Sequence, residues 1–197
     1  MPRPPLARER VLDAYVQILI ADGERAATLD AVARAAGVSK GGLLYHFASK
    51  DDLAAALIER LLSLTDDDLD RMRQAPEHPI AYYVRTSVME DDALDRALIA
   101  VTRLAQGGSA PASDALRESR RLWTEAIRPH VRDDTALELV MLLSDGLYFN
   151  NSLMNHSNAP EHFSDFVPTG RALADLVERV TTTTRAPEAP EPASHTP

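Results

Sequence analysis

The sequence predicts an all-α protein. Apolar residues recur three and four positions apart over most of its length, no stretch alternates apolar and polar residues as a half-buried strand does, and residues that start and stop helices punctuate the periodic runs. With 197 residues and 45% hydrophobic content, the chain can form one or two small domains with a real core.

Residues 1–7 are proline-rich and expected to be loose. From Arg8 to Asp22, Val11, Leu12, Tyr15, Ile18 and Leu19 mark one helical face, and Gly23 supplies a left-handed stop. A second helix begins after Thr28, a capping residue, with Asp30 in the favourable first turn and Leu29, Val32, Ala33 and Ala36 at helical spacing up to Gly37. A third begins after Ser39, another good cap. Gly41 and Gly42 fall inside it, each costing about 1 kcal/mol relative to alanine. The physical reason to keep them is close approach, because a helix without Cβ atoms in its first turn can press against a groove or a phosphate. Leu43 and Phe47 lie four apart and face inward, leaving Lys40, Leu44, Tyr45 and His46 for other surfaces. Two short helices separated by Gly37, Val38 and Ser39 make a helix-turn-helix, whose second helix is the one that enters a DNA major groove.

Ser49 caps a fourth helix, with Asp52 placed to reach back as in a capping box. Leu53, Leu57, Leu61 and Leu64 carry its stripe to about Arg73, about 36 Å at the helical rise, long enough to leave one domain and enter the next. Asp66, Asp67 and Asp68 read as a solvated face. Pro76 and Pro79 interrupt the pattern, and helices follow over about 80–90, 92–106, 112–128, 134–156 and 168–182, separated by Gly107-Gly108, Pro111, Pro129 and His156–Pro168. The run around 134–156 is apolar nearly all round, so it needs cover on more than one side; with Leu173, Leu176, Val177 and Val180 it can form half of a four-helix interface with a second copy. Gly146 would let two helices approach, relieve a bend or make room for a ligand. The expected organisation is a helix-turn-helix domain over 1–47, a helical ligand-binding and dimerisation domain over 48–184, and a disordered proline-rich tail over 185–197.

The net charge of −9 is unevenly divided. Residues 1–50 carry seven Lys and Arg against five Asp and Glu, or +2; the remainder carries 14 against 25, or −11. Both lysines, Lys40 and Lys50, fall in the proposed DNA-facing stretch, so positive charge is local, as expected when one face meets phosphate. There is no cysteine, which excludes disulfides and thiolate metal sites. No signal-like apolar segment opens the chain and no run approaches 18 apolar residues, so a cytoplasmic location and no membrane partner are expected.

No cluster of titratable groups marks a catalytic centre. The six histidines, at 46, 78, 130, 156, 162 and 195, form no His-x-x-x-His pair and mostly adjoin proposed breaks, where exposure is expected. No catalytic residue, metal or cofactor is therefore expected. Polar residues within apolar helices, namely Arg85, Arg103, Asp145, Asn150 and Asn151, need partners if buried, and a ligand can be one. Tyr82, Met89, Trp123, Asp145, Phe149, Asn150 and Met154 form the candidate pocket, for a small apolar effector, cationic ones included because the second region is acidic.

The run from Arg8 to Leu53, above all AATLDAVARAAGVSKGGLLYHFASKDDL, resembles the DNA-binding domain of the TetR family of bacterial transcriptional regulators. The resemblance implies a homodimer joined through its last two helices, binding double-stranded operator DNA as a repressor that a small molecule releases. Its DNA contacts would fall on Thr28, Ser39, Lys40, Gly41, Gly42, Tyr45, His46 and Lys50. Leu44 stands where relatives most often carry tyrosine, and Gly42 where threonine, serine or alanine is frequent, so the contacts those residues make elsewhere are not carried over. Two other readings stay open: a regulator whose second domain only dimerises or binds a protein partner, and a helical enzyme with a DNA-binding appendage, against which the missing catalytic cluster argues.

Overall fold

The computed structural model describes residues 5–88, 91–154 and 168–187. Among them the chain forms nine α-helices: α1 (Pro5–Asp22), α2 (Leu29–Ala35), α3 (Lys40–His46), α4 (Lys50–Gln74), α5 (Pro79–Thr86), α6 (Ala93–Gln106), α7 (Ala110–Ile127), α8 (Asp134–Met154) and α9 (Gly170–Thr184), with a 3-10 turn at Arg128–His130. The only β pairing among the described residues is a bridge between Val131 and Arg185. The expected break at 156–168 lies almost wholly outside the described residues, as do Met89 and the tail beyond 187.

The described residues pack as two units, one drawn from 1–71 with 89–122, the other from 72–88 with 123–197. In the first, α1 buries Val11, Leu12, Tyr15 and Leu19, α4 buries Leu53, Leu57 and Leu61, and α6 buries Leu94, Ala97, Val101 and Leu104. α6 lies along α1, which places residues after 90 in the same unit as the helix-turn-helix. Arg60 of α4 donates to Asp13 Oδ1 (2.6 Å) and Glu9 Oε2 (2.5 Å) on α1. Asp92 and Asp95 form a reciprocal capping box at the start of α6. The buried Thr65 hydroxyl of α4 lies 3.0 Å from the Leu61 carbonyl and 3.1 Å from Ser119 Oγ of α7.

The structure departs from the sequence reading at Pro5–Ala7, which open α1 and are not loose, and at two further places. Pro111 does not separate helices; it sits in the first turn of α7, where its missing N–H would have had no intrahelical partner. The three aspartates are not one solvated face: Asp66 and Asp67 are exposed but Asp68 is 7% exposed. Consecutive helical residues point about 100° apart, so three in a row cannot all face water on a half-buried helix.

In the second unit, α5 packs against α8 and α9, and α8 against α9. α5 buries Ile80, Tyr82, Tyr83 and Val84, while α8 buries Leu137, Val140, Met141 and Leu147. His78, expected to be an exposed loop residue, is half-buried and caps α5: its Nδ1 accepts from the Ile80 amide at 3.3 Å, and its ring meets the edge of His130 at 5.6 Å. Burial, then the nearby charges of His130 and Arg185, hold its imidazole below the usual histidine range. The segment after α7 is tied to the end of α9 by Arg132 N–H to Thr184 O (2.9 Å) and Ala186 N–H to His130 O (2.8 Å).

Candidate nucleic-acid interface

The helix-turn-helix is set by local capping. Thr28 Oγ1 accepts from the Ala31 amide at 3.2 Å, fixing the start of α2. Gly37 ends it at φ +66°, a left-handed conformation that a side chain resists, and Val38 N–H returns to the Ala33 carbonyl at 3.0 Å. Two residues on, Ser39 Oγ accepts from Gly42 N–H at 3.0 Å and starts α3. Both capping hydroxyls are on exposed residues, and a hydroxyl that accepts still carries its own proton to donate to a phosphate.

α3 is seven residues long and buries one side chain within its span, Leu43. Phe47, just beyond, is 2% exposed and carries the Arg8 guanidinium 5.1 Å above its ring. The outer face holds Tyr45, 83% exposed, with its ring edge-on to His46 at 5.2 Å, and Leu44, 39% exposed. An aromatic that bare, in the last turn of α3, offers a flat surface and a phenol to sugar or phosphate.

The two glycines have different reasons. A Cβ at Gly42 would stand 3.2 Å from Ser39 Oγ, the atom that caps the helix, so its space is taken within the chain. A Cβ at Gly41 would meet nothing within 4 Å, so nothing among the described residues requires glycine there.

Both lysines are held by acids in pairings that the sequence did not indicate. Lys40 Nζ pairs with Asp30 Oδ2 of α2 at 3.1 Å, both side chains well exposed. Lys50 Nζ donates to the Glu24 carbonyl at 2.8 Å and to Glu24 Oε1 at 3.3 Å, stapling the start of α4 to the loop between α1 and α2. Ser49 and Asp52 form the expected reciprocal cap there, at 3.0 and 3.1 Å. All eight expected DNA-contact residues thus lie on the start of α2, on α3 and its cap, or at the start of α4.

The expected effector residues are not gathered in this way. Tyr82 is buried, with the Arg85 guanidinium 5.5 Å from its ring centre and that same guanidinium paired to Glu77 at 2.5 Å. Trp123 is half-buried and lies 6.2 Å from the Tyr83 ring. Asp145, Phe149 and Asn150 instead face outward on α8, Phe149 at 62% exposure; Met89 and the side chain of Met154 lie outside the described residues. A groove of about 390 Å³ between α5 and α9 is lined by Glu77, Ala81, Arg85, Leu173, Val177 and Thr181 among others, and by none of the seven. Among the described residues no three His, Asp or Glu side chains are placed to hold a metal ion, and no helix is long and apolar enough to cross a membrane.

Residues 11–57 match the family model of the bacterial regulatory proteins, tetR family. The chain is 28% identical over 163 residues to the HTH-type transcriptional regulator BetI of Rhizobium meliloti, covering 76% of this chain and 79% of that protein. It is 39% identical over 51 residues to the HTH-type transcriptional regulator SrpR of Pseudomonas putida, a match confined to 26% of this chain and 24% of that one. Among solved structures, the ketosteroid transcriptional regulator KstR2 of Mycobacterium tuberculosis shares the fold with a TM-score of 0.64 at 15% identity, covering 94% of this chain and 98% of that one. The multidrug binding protein EbrR, solved with malachite green, aligns with a TM-score of 0.59 at 18% identity over 88% of this chain and 96% of its own.

Proposed function

We propose, from the premise that this chain belongs to the tetR family of bacterial transcriptional regulators, that it is a cytoplasmic homodimeric repressor released from its operator by a small apolar molecule. The observation that carries the DNA-binding half is α3: a helix of seven residues, capped at its start, open at Gly41, and carrying Tyr45 at 83% exposure on the side away from Leu43. In this reading α3 enters the major groove, Tyr45 and the capping hydroxyls of Thr28 and Ser39 fix its register on the backbone, and Lys40 and Lys50 exchange carboxylate partners for phosphate. Residues 1–47 read DNA and 48–184 dimerise and sense the effector.

The dimer half is supported by α8. Leu139, Leu142 and Phe149 are 50%, 65% and 62% exposed, spaced three and seven apart so that they share a stripe. Gly146 falls between the last two, and a Cβ added to it would meet no described atom within 4 Å. Three large apolar side chains on one exposed helical stripe call for a partner, and an isologous contact presents each of them twice. The effector half draws on Tyr82 and Trp123 as apolar walls and on EbrR, whose structure holds malachite green. The outward placement of Asp145, Phe149 and Asn150 favours a second reading for that end of α8, in which it serves subunit contact without a small molecule.

Enrichment of duplexes from a random-sequence pool by the purified protein, followed by titration of candidate effectors into the preformed complex, tests both halves. Recovered DNA with two-fold symmetry supports the repressor dimer. An effector that binds free and DNA-bound protein equally is excluded as the releasing ligand, since coupling is reciprocal.

A further inference from the structure

Glu24 lies in the loop between α1 and α2, outside the helix-turn-helix, yet it touches two elements far from it in sequence. One carboxylate oxygen, Oε1, accepts from Lys50 Nζ at 3.3 Å, beside the 2.8 Å bond from the same ammonium to the Glu24 carbonyl. The other, Oε2, lies over Gly107, the C-cap of α6, so closely that a Cβ on Gly107 would overlap it. Gly107 has φ −74° and ψ −1°, values open to any residue, so the backbone does not ask for glycine. A Cβ there would push the far end of the flexible Glu24 side chain aside.

That seat is electrostatically poor by itself. The C-terminal end of a helix is the negative end of its macrodipole and disfavours a carboxylate, so the Lys50 ammonium is the group that makes the position tolerable. Lys50 and Glu24 side chains are 36% and 33% exposed, so a phosphate can reach the ammonium, and two of its three donors already serve Glu24.

We propose that Glu24 is a positioning residue for DNA binding: its carboxylate, held by Lys50 in a place packed against Gly107 at the end of α6, competes with backbone phosphate for the Lys50 ammonium. A displacement at the end of α6 is then felt at Lys50 through one side chain. The inference rests on Lys50 being a phosphate contact.

The test is a set of variants of the full chain titrated with a mixed-sequence duplex. Glu24→Gln keeps the size and removes the charge; Gly107→Ala leaves Glu24 intact and displaces its carboxylate. Each is expected to tighten DNA binding about two- to fivefold per DNA-binding head, the range of an exposed ion pair. Neither should change affinity when Lys50 is already alanine, because the effect runs through Lys50. The side-chain amine resonance of Lys50, one of two lysines in the chain, reads the same contact without DNA and should shift in both variants. Unchanged or weakened DNA affinity in Glu24→Gln, or equal gains in the Lys50→Ala background, would overturn the proposal. So would an unmoved Lys50 resonance. A wild-type protein that binds no duplex, with the resonance shifting as expected, would instead refute the phosphate role of Lys50 and with it the competition.

Discussion

Leu142→Ala is expected to separate the dimer without unfolding the chain. The side chain is 65% exposed in the single chain, so the fold loses little with it. Truncation to alanine removes three carbons, about 2.4 kcal/mol of transfer free energy if all were moved from water to an apolar contact, and 65% of that is about 1.6 kcal/mol. A two-fold interface contains the residue twice, giving about 3 kcal/mol and a roughly 150-fold rise in the dimer dissociation constant. Sedimentation equilibrium over a range of concentrations measures this constant, and urea unfolding of the variant at low concentration checks that the single chain is intact. Gly146→Ala sharpens the result. A Cβ there meets no described atom of the single chain and should favour the helix by up to about 1 kcal/mol, so a variant that unfolds later but associates more weakly places the seam at Gly146. A dimer constant unchanged within about threefold in Leu142→Ala would refute the assignment of this stripe to the subunit contact.

Gly41→Ala should stabilise the fold by up to about 1 kcal/mol, since its Cβ has room, while weakening DNA binding by roughly tenfold or more; thermal unfolding alongside duplex titration separates the two effects. Tyr15 is fully buried and its phenol has no hydrogen-bond partner among the described residues; burial, then the charges of Glu24 and Asp51, raise its ionisation range. Tyr15→Phe should therefore raise stability by about 1 kcal/mol, read as a later urea midpoint. His78 titrates below its free value, so an unfolded chain takes up its proton first and stability contributed at neutral pH is lost as pH falls from about 6.5 through the folded value. Protonation also removes the Nδ1 lone pair that caps α5, and His78→Asn, which can still cap, should flatten the fall in urea midpoint between about pH 7 and pH 5.

What could be read in the sequence was what short spacing decides. Thr28, Ser39 and the Ser49–Asp52 pair cap where they were expected to, because a cap and its amide lie three residues apart, and Leu43 and Phe47 turn inward because they lie four apart. Contacts between distant segments were not legible. Nothing local reports that Glu24 will hold Lys50, or that Asp30 will hold Lys40. The outward side of α8 was hidden for a related reason: when apolar residues surround a helix, periodicity cannot tell which face is covered, and Phe149 and Leu142 went to the exposed side. Pro111 misled as a breaker because the first turn of a helix accepts proline, and only the packing of α7 shows where that turn begins.

If α3 reads DNA as one of a pair, selection of bound duplexes from a random pool should show it, with wild-type protein and with Tyr45→Ala and Lys40→Ala variants run in parallel. Wild-type protein should recover an inverted repeat whose half-site centres lie about one helical turn, roughly 34–36 Å, apart, lost or relaxed when Tyr45 or Lys40 is removed. Recovery of sequences without two-fold symmetry, or of the same inverted repeat at the same strength by both variants, would contradict it.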